Sequence, residues 1–223
     1  MSDQVPFTDV ALMTNTEPRC PCVLLLDISS SMQGQPIAEL NAGLIQFKDD
    51  LSADSLAVKR IEVAIVTFGE VVSVALDFTP PDLFTPPTLL AAGTTPMGAA
   101  INKGLDLLQE RKTMYREHGI NGYRPWIFLI TDGGPTDEWK TAAERVKEGE
   151  SGKKFSFFGV GVEGANFDIL KQICVREPLK IKGLNFRELF VWLSRSLKSV
   201  SSSRVGDAVP LSNPNTPDGW AAV

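Results

Sequence analysis

The chain has 223 residues, 43% of them hydrophobic, with 22 basic against 27 acidic side chains and a formal net charge of −5. Such a length suits one sizeable α/β domain, and the acidic balance, with no basic block to reverse it locally, argues against a nucleic-acid surface while leaving a basic protein partner open. No stretch approaches about 18 uninterrupted apolar residues, and Met1-Ser2-Asp3-Gln4 lacks the positive region and apolar core of a secretory signal, so the chain reads as cytoplasmic, without membrane insertion.

Residues 1–19 form an N-terminal segment, in which Phe7 to Met13 reads as packing onto the domain rather than binding a partner. The domain proper is expected over residues 20–200. Its first strand contains Val23-Leu24-Leu25-Leu26 and ends at Asp27, a nearly continuous apolar run typical of a strand buried on both faces. Cys20-Pro21-Cys22 opens that strand. Zinc would need more ligands than the distant Cys174 and the single His118 offer, so the pair reads as small residues at a strand start, and the three thiols as reduced.

A helix follows Gly34, with Pro36 in its first turn and Ile37, Leu40, Leu44, Phe47 and Leu51 at helical spacing. Arg60 to Phe68 and Val71 to Phe78 alternate as strands joined at Gly69-Glu70, which predicts an antiparallel hairpin at one sheet edge. After a proline-rich loop, Thr95 occupies a capping position and Pro96 the first turn of a helix carrying Ile101, Leu105 and Leu108. Trp126 to Thr131 forms a second buried strand, ending at Asp132.

Thr136 or Asp137 then starts a polar helix reaching about Gly149, Phe155 to Gly161 forms another buried strand, and Asn166 to Cys174 a short helix. A brief strand near Leu179-Lys180-Ile181 leads to Asn185 and Glu188, which form a capping-box pattern, and to a last helix with Phe186, Leu189, Phe190, Leu193 and Leu197 inward. Alternating strands and helices predict a doubly wound α/β architecture, a mostly parallel sheet with one antiparallel edge strand and helices on both faces. Residues 201–223 are rich in Ser and Pro and read as a tail without packed elements, with Trp220 as its one residue of binding potential.

Two carboxylates organise the candidate site. Asp27 and Asp132 each end a buried strand, and the carboxyl ends of such strands face the crevice where open α/β sheets bind ligands. Asp27-Ile28-Ser29-Ser30-Ser31 adds hydroxyls at alternate positions, and Gly93-Thr94-Thr95-Pro96-Met97-Gly98 offers a threonine. Oxygen ligands of this kind suit a hard cation such as Mg²⁺, with water or a partner in the remaining octahedral position.

Asp27-Ile28-Ser29-Ser30-Ser31, then Thr95, then Thr131-Asp132-Gly133 resemble the metal ion-dependent adhesion site of von Willebrand factor type A domains. The resemblance spans roughly residues 20 to 200. It implies that Ser29, Ser31 and Thr95 offer hydroxyl oxygens to Mg²⁺ or Mn²⁺, that Asp27 and Asp132 bind directly or through water, and that a partner's Asp or Glu completes the coordination. Ser30 stands where glycine is frequent in that pattern. Thr95 is preferred over Thr94 by its spacing to Met97-Gly98, so Ser30, Thr94, Met97 and Gly133 take supporting or partner-contacting places.

The run Thr131 to Asp137 and the ending Phe186 to Ser194 further resemble the TerY-type branch associated with tellurium resistance. That likeness implies a bacterial cytoplasmic interaction module in a stress-response or phosphorylation-linked complex. The competing expectation is a Mg²⁺-dependent phosphohydrolase with Asp27 as nucleophile. It lacks the usual second aspartate two residues on, where Ser29 stands. A serine hydrolase has no base in reach other than His118, which lies in a polar stretch, and neither a phosphate loop nor a dinucleotide fingerprint is present.

Overall fold

The computed structural model describes residues 15–215 and 219–222, so Phe7 to Met13 falls outside the described residues. Among the described residues seven strands form one sheet: β1 (Cys20–Asp27), β2 (Ile61–Phe68), β3 (Val72–Thr79), β4 (Trp126–Thr131), β5 (Ser156–Gly161), β6 (Leu179–Ile181) and β7 (Ala221–Ala222). Their spatial order is β3-β2-β1-β4-β5-β6-β7. The five inner strands run parallel, and β3 pairs antiparallel with β2 as the Gly69-Glu70 link requires.

The opposite edge departs from expectation. Ala221–Ala222 pairs antiparallel with Leu179–Ile181, so the sheet has a second antiparallel edge strand, supplied by the segment read as a tail. Trp220 explains the return of the chain: its ring is 3% exposed and packs edge-on against Trp192 at 5.7 Å. The indole N–H of Trp192 donates to the Ser212 carbonyl at 2.8 Å, holding the preceding stretch against the last helix. An isolated large aromatic in a polar sequence gains enough by burial to dock a segment that has no periodic pattern of its own.

Among the described residues six α-helices, α1 (Gln35–Ser52), α2 (Ser55–Arg60), α3 (Met97–Glu117), α4 (Lys140–Ser151), α5 (Phe167–Ile173) and α6 (Phe186–Ser202), cover the two faces. Strand alternation assigns them. Leu24 and Leu26 of β1 pack with α1, α2 and α6, while Val23 and Leu25 pack with α3, α4 and α5. The inward residues expected on the last helix, Phe186, Leu189, Phe190, Leu193 and Leu197, are all fully buried. Cys20 and Cys22 face that same core as free thiols, and burial pushes the Cys20 thiol up to about 12, which leaves it protonated and inert at neutral pH.

The capping of three helices differs from the sequence reading. The polar helix begins at Lys140, because Asp137 is engaged elsewhere and Glu138 accepts from the Lys140 and Thr141 N–H groups at 2.6 and 3.3 Å. Thr95 does not cap α3 with its side chain; Asp137 does, accepting from the N–H groups of Gly98 at 3.0 Å and Ala99 at 2.8 Å. Asn185 and Glu188 likewise make no side-chain cap on α6. A cap delivered from another loop leaves no local signature in the sequence.

At the amino-terminal ends of β1 and β2 a buried carboxylate, Glu62, accepts from Arg19 Nε at 3.1 Å, from Arg111 Nε and Nη2 at 2.7 and 2.8 Å, and from the Tyr115 hydroxyl. Arg19 also donates to the carbonyls of Asn15, Glu17 and Lys59. Ions taken out of water need such full hydrogen bonding to persist.

Candidate metal centre

β1 and β4 lie side by side, while the chain leaves β1 for β2 on one flank and reaches β4 on the other. The crevice outside their carboxyl ends is therefore a topological switch point, the usual ligand location in open α/β sheets. Leu26 is paired with Ile130, which places Asp27 and Thr131 opposite each other one residue further on. Thr131 Oγ1 donates to Asp27 Oδ2 at 2.5 Å, and the Ser29 N–H donates to Asp27 Oδ1 at 2.8 Å. Both carboxylate oxygens of Asp27 are thus oriented.

The loop after β1 makes a single turn of 3-10 helix at Ser30–Met32, which brings the alternate serines together. Ser29 Oγ and Ser31 Oγ are 2.9 Å apart, and Ser31 Oγ donates to Asp132 Oδ1 at 2.7 Å. Ser30 is exposed and points no hydroxyl bond inward, but its N–H donates to the Gly93 carbonyl at 3.0 Å, tying the serine loop to the loop before α3. Gly93 adopts φ +82°, and a Cβ there would lie 2.2 Å from the Glu70 nitrogen, so only glycine lets this loop settle on the hairpin tip.

Of the threonine doublet, Thr95 is buried and Thr94 exposed. Thr95 Oγ1 lies 3.4 Å from where a Cβ on Gly133 would stand, on the Asp132 side of the crevice. Its backbone is clamped by Thr136: the Thr95 N–H donates to Thr136 Oγ1 at 3.1 Å, and the Thr136 N–H donates to the Thr95 carbonyl at 2.9 Å. Gly98 permits this approach, since a Cβ at that position would fall 2.0 Å from the Glu138 carbonyl oxygen.

Asp27, Ser29, Ser31, Thr95 and Asp132 thus border one crevice, with Gly133 beside Thr95. Met97 does not reach the rim; it is fully buried among Ala100, Ile101 and the β1 and β4 side chains, and Met32 is buried on the other face. Sequence reasoning named Thr131 only within the Thr131-Asp132-Gly133 run and Thr136 and Asp137 only as possible helix starts, and missed the bonds by which all three support the site. Strand register could have found Thr131, because the last residue of β4 must neighbour the last residue of β1.

The electrostatics favour a cation. Burial raises the Asp27 carboxyl above its ordinary value, hydrogen bonds from Ser29 and Thr131 pull it back down, and the Asp132 charge raises it further. Among the described residues neither aspartate has an ion-pair partner. Among them there is also no group of three or more His, Cys, Asp or Glu placed to hold a metal, so the oxygens available here are two carboxylates and three hydroxyls. Two carboxylates that repel each other, lined by neutral oxygen donors, match a hard divalent ion in charge and donor type.

A doubly wound sheet carrying its polar crevice at the first switch point defines a class of α/β domain, and comparison resolves it. The von Willebrand factor type A domain model matches residues 22–187, and the chain belongs to that family. Among curated proteins no significant match was found. The vWF domain of the type V pili tip protein Mfa5 from Porphyromonas gingivalis is 11% identical, with a TM-score of 0.63 over 86% of this chain and 99% of that one.

Manganese-loaded TRAP protein from Plasmodium vivax is 20% identical with a TM-score of 0.54, covering 79% of this chain and 73% of its own. The ArnB paralog VWA2 from Sulfolobus acidocaldarius is 18% identical with a TM-score of 0.54, covering 80% of this chain; the present chain spans only 45% of that protein's length. Identities this low carry the fold. Among the described residues no helix is long and apolar enough to cross a membrane.

Proposed function

We propose that this domain is a Mg²⁺- or Mn²⁺-dependent protein-binding module whose ion is held by Asp27, Ser29, Ser31, Thr95 and Asp132. The observation that carries the reading is the pair of buried, mutually repelling aspartates with three hydroxyl-bearing residues around the same crevice and, among the described residues, no cationic side chain paired to them. A bound divalent ion supplies a positive centre that neutralises the pair. Because the other ligands are neutral hydroxyls, that centre is left able to attract one more anionic oxygen, which a partner's Asp or Glu provides.

Support from relatives is of the same kind: TRAP is described as manganese-loaded, and Mfa5 as a pili tip protein. Val71 and Leu90, 66% and 76% exposed, stand on the two loops that meet beside the serine turn, which suits a surface meant to be covered. Placement in a bacterial cytoplasmic complex linked to phosphorylation, stress response or tellurium resistance rests on the sequence likeness of Thr131 to Asp137 and Phe186 to Ser194 alone. Asp27 suits the phosphohydrolase reading poorly, because it is fully buried and both of its oxygens accept hydrogen bonds.

Calorimetric titration of Mg²⁺ and Mn²⁺ into chelator-stripped protein tests the site, with Asp27→Ala and Ser29→Ala in parallel. The expected result is one saturable site in the wild type and none in Asp27→Ala. A pull-down from bacterial lysate that is abolished by chelation and restored by Mg²⁺ is expected alongside. Capture insensitive to chelation, together with no metal binding, would overturn the coordination mechanism.

A further inference from the structure

At the amino-terminal ends of the strands, the pole opposite Asp27, cations gather around a cavity of about 350 Å³. Lys112 and Arg116 of α3, Arg124 before β4, and Lys153 and Lys154 before β5 line it, and among the described residues no Asp or Glu does. Among the described residues Lys112, Arg116, Lys153 and Lys154 have no ion-pair partner. Lys112 Nζ donates only to the Lys154 carbonyl at 3.1 Å, and Arg116 Nη2 to Thr113 Oγ1 at 2.9 Å. Glu148 lines a neighbouring smaller cleft with Lys112, Arg145 and Lys154.

Four unpaired cations around one hollow are unexpected in a chain with five more acidic than basic residues. Their crowding is unfavourable without an anion. Burial lowers the Lys112 ammonium from its ordinary value, and the charges of Arg116 and Lys154 lower it further. Lys153 is the one non-glycine among the described residues with positive φ, at 54°, a backbone state that costs energy and recurs at binding sites.

We propose that this basic cavity binds a small anion carrying two or more phosphate groups. A single phosphate offers too little charge and too few oxygens for four free cations, whereas a di- or triphosphate spans them. The hollow is concave and of small-molecule size, unlike a groove for a polymer, and the negative charge of the whole chain disfavours a long polyanion. A second cavity of about 440 Å³ shares Tyr123, Arg124, Lys153 and Gly206 with the first and continues to Arg176 and Asp207, leaving room beyond the phosphates for a further polar group.

Calorimetry on the metal-free full chain in chelator, at low salt, with inorganic triphosphate, ATP and adenosine as probes, tests this. Triphosphate and ATP are expected to bind at one site that weakens as salt rises, and adenosine not to bind. Lys112→Ala/Arg116→Ala and, separately, Lys153→Gly should each lower affinity by about tenfold or more. Lys103→Ala, an exposed cation elsewhere on α3, and Asp27→Ala should leave it unchanged, with circular dichroism confirming each fold.

Tighter binding of ATP than of triphosphate extends the site into the second cavity, and equal binding confines it to the phosphates; both support the proposal. No saturable binding of either phosphate compound, or equal binding by both cavity variants and wild type, overturns it.

Discussion

Thr131 shows how a neutral side chain sets the geometry of a charged one. Its hydroxyl donates to Asp27 Oδ2 and so turns the carboxylate relative to the Ser29 N–H on its other oxygen. Groups that orient a ligand in this way typically change metal affinity by about 10- to 100-fold when removed. Thr131→Val, which keeps the shape and removes the donor, is therefore expected to weaken Mg²⁺ binding by at least about tenfold while the circular dichroism spectrum is unchanged. An unchanged affinity would mean that Asp27 is oriented by Ser29 alone. The same logic ranks the threonine doublet, since the hydroxyl-bearing side chain turned into the crevice is that of buried Thr95, not exposed Thr94.

Elements are tied to one another across loops rather than closed within themselves. Helix α3 begins without a capping side chain of its own, and Asp137 supplies both charge and acceptors to its first free N–H groups. Asp137→Ala is expected to cost about 1–2 kcal/mol in denaturant unfolding, with Asp137→Asn recovering part of the loss. A cost near zero would show that solvent caps the helix equally well. The expectation that Thr136 or Asp137 would start its own helix failed for this reason: a residue committed to capping a neighbour cannot also begin the helix that follows it.

At the scale of the whole molecule, burial of a single aromatic side chain decides where the carboxyl-terminal segment goes. The sequence from Ser201 carries no periodicity, yet Trp220 returns to the α6 face and seats β7 on the sheet edge. Trp220→Ala should lower stability by about 3 kcal/mol and release the edge of β6 to hydrogen exchange. The buried indole N–H of Trp220 has no partner among the described residues, so Trp220→Phe should lose much less than Trp220→Ala. If both variants melted with the wild type, the docked segment would contribute nothing to folding.

The doubly wound architecture was legible in the sequence because buried parallel strands must be nearly continuous in apolar residues and helices must repeat their apolar positions every three to four. The candidate site was legible for a related reason. Asp27, Ser29 and Ser31 are close along the chain, and Asp132 announces itself by ending a strand, so local spacing and the strand-end rule together assemble most of the crevice. The capping by Asp137, the Glu62 network, the docked Trp220 and the basic cavity were not legible. Each depends on residues far apart in the chain, such as Lys112 with Lys154, or Asp137 with Gly98, whose meeting is decided by strand register and helix packing. Local hydrogen bonding and periodicity act over a few residues and are written in the sequence order; charge clustering and capping across loops arise only when the core, closing as a whole, brings those distant segments together.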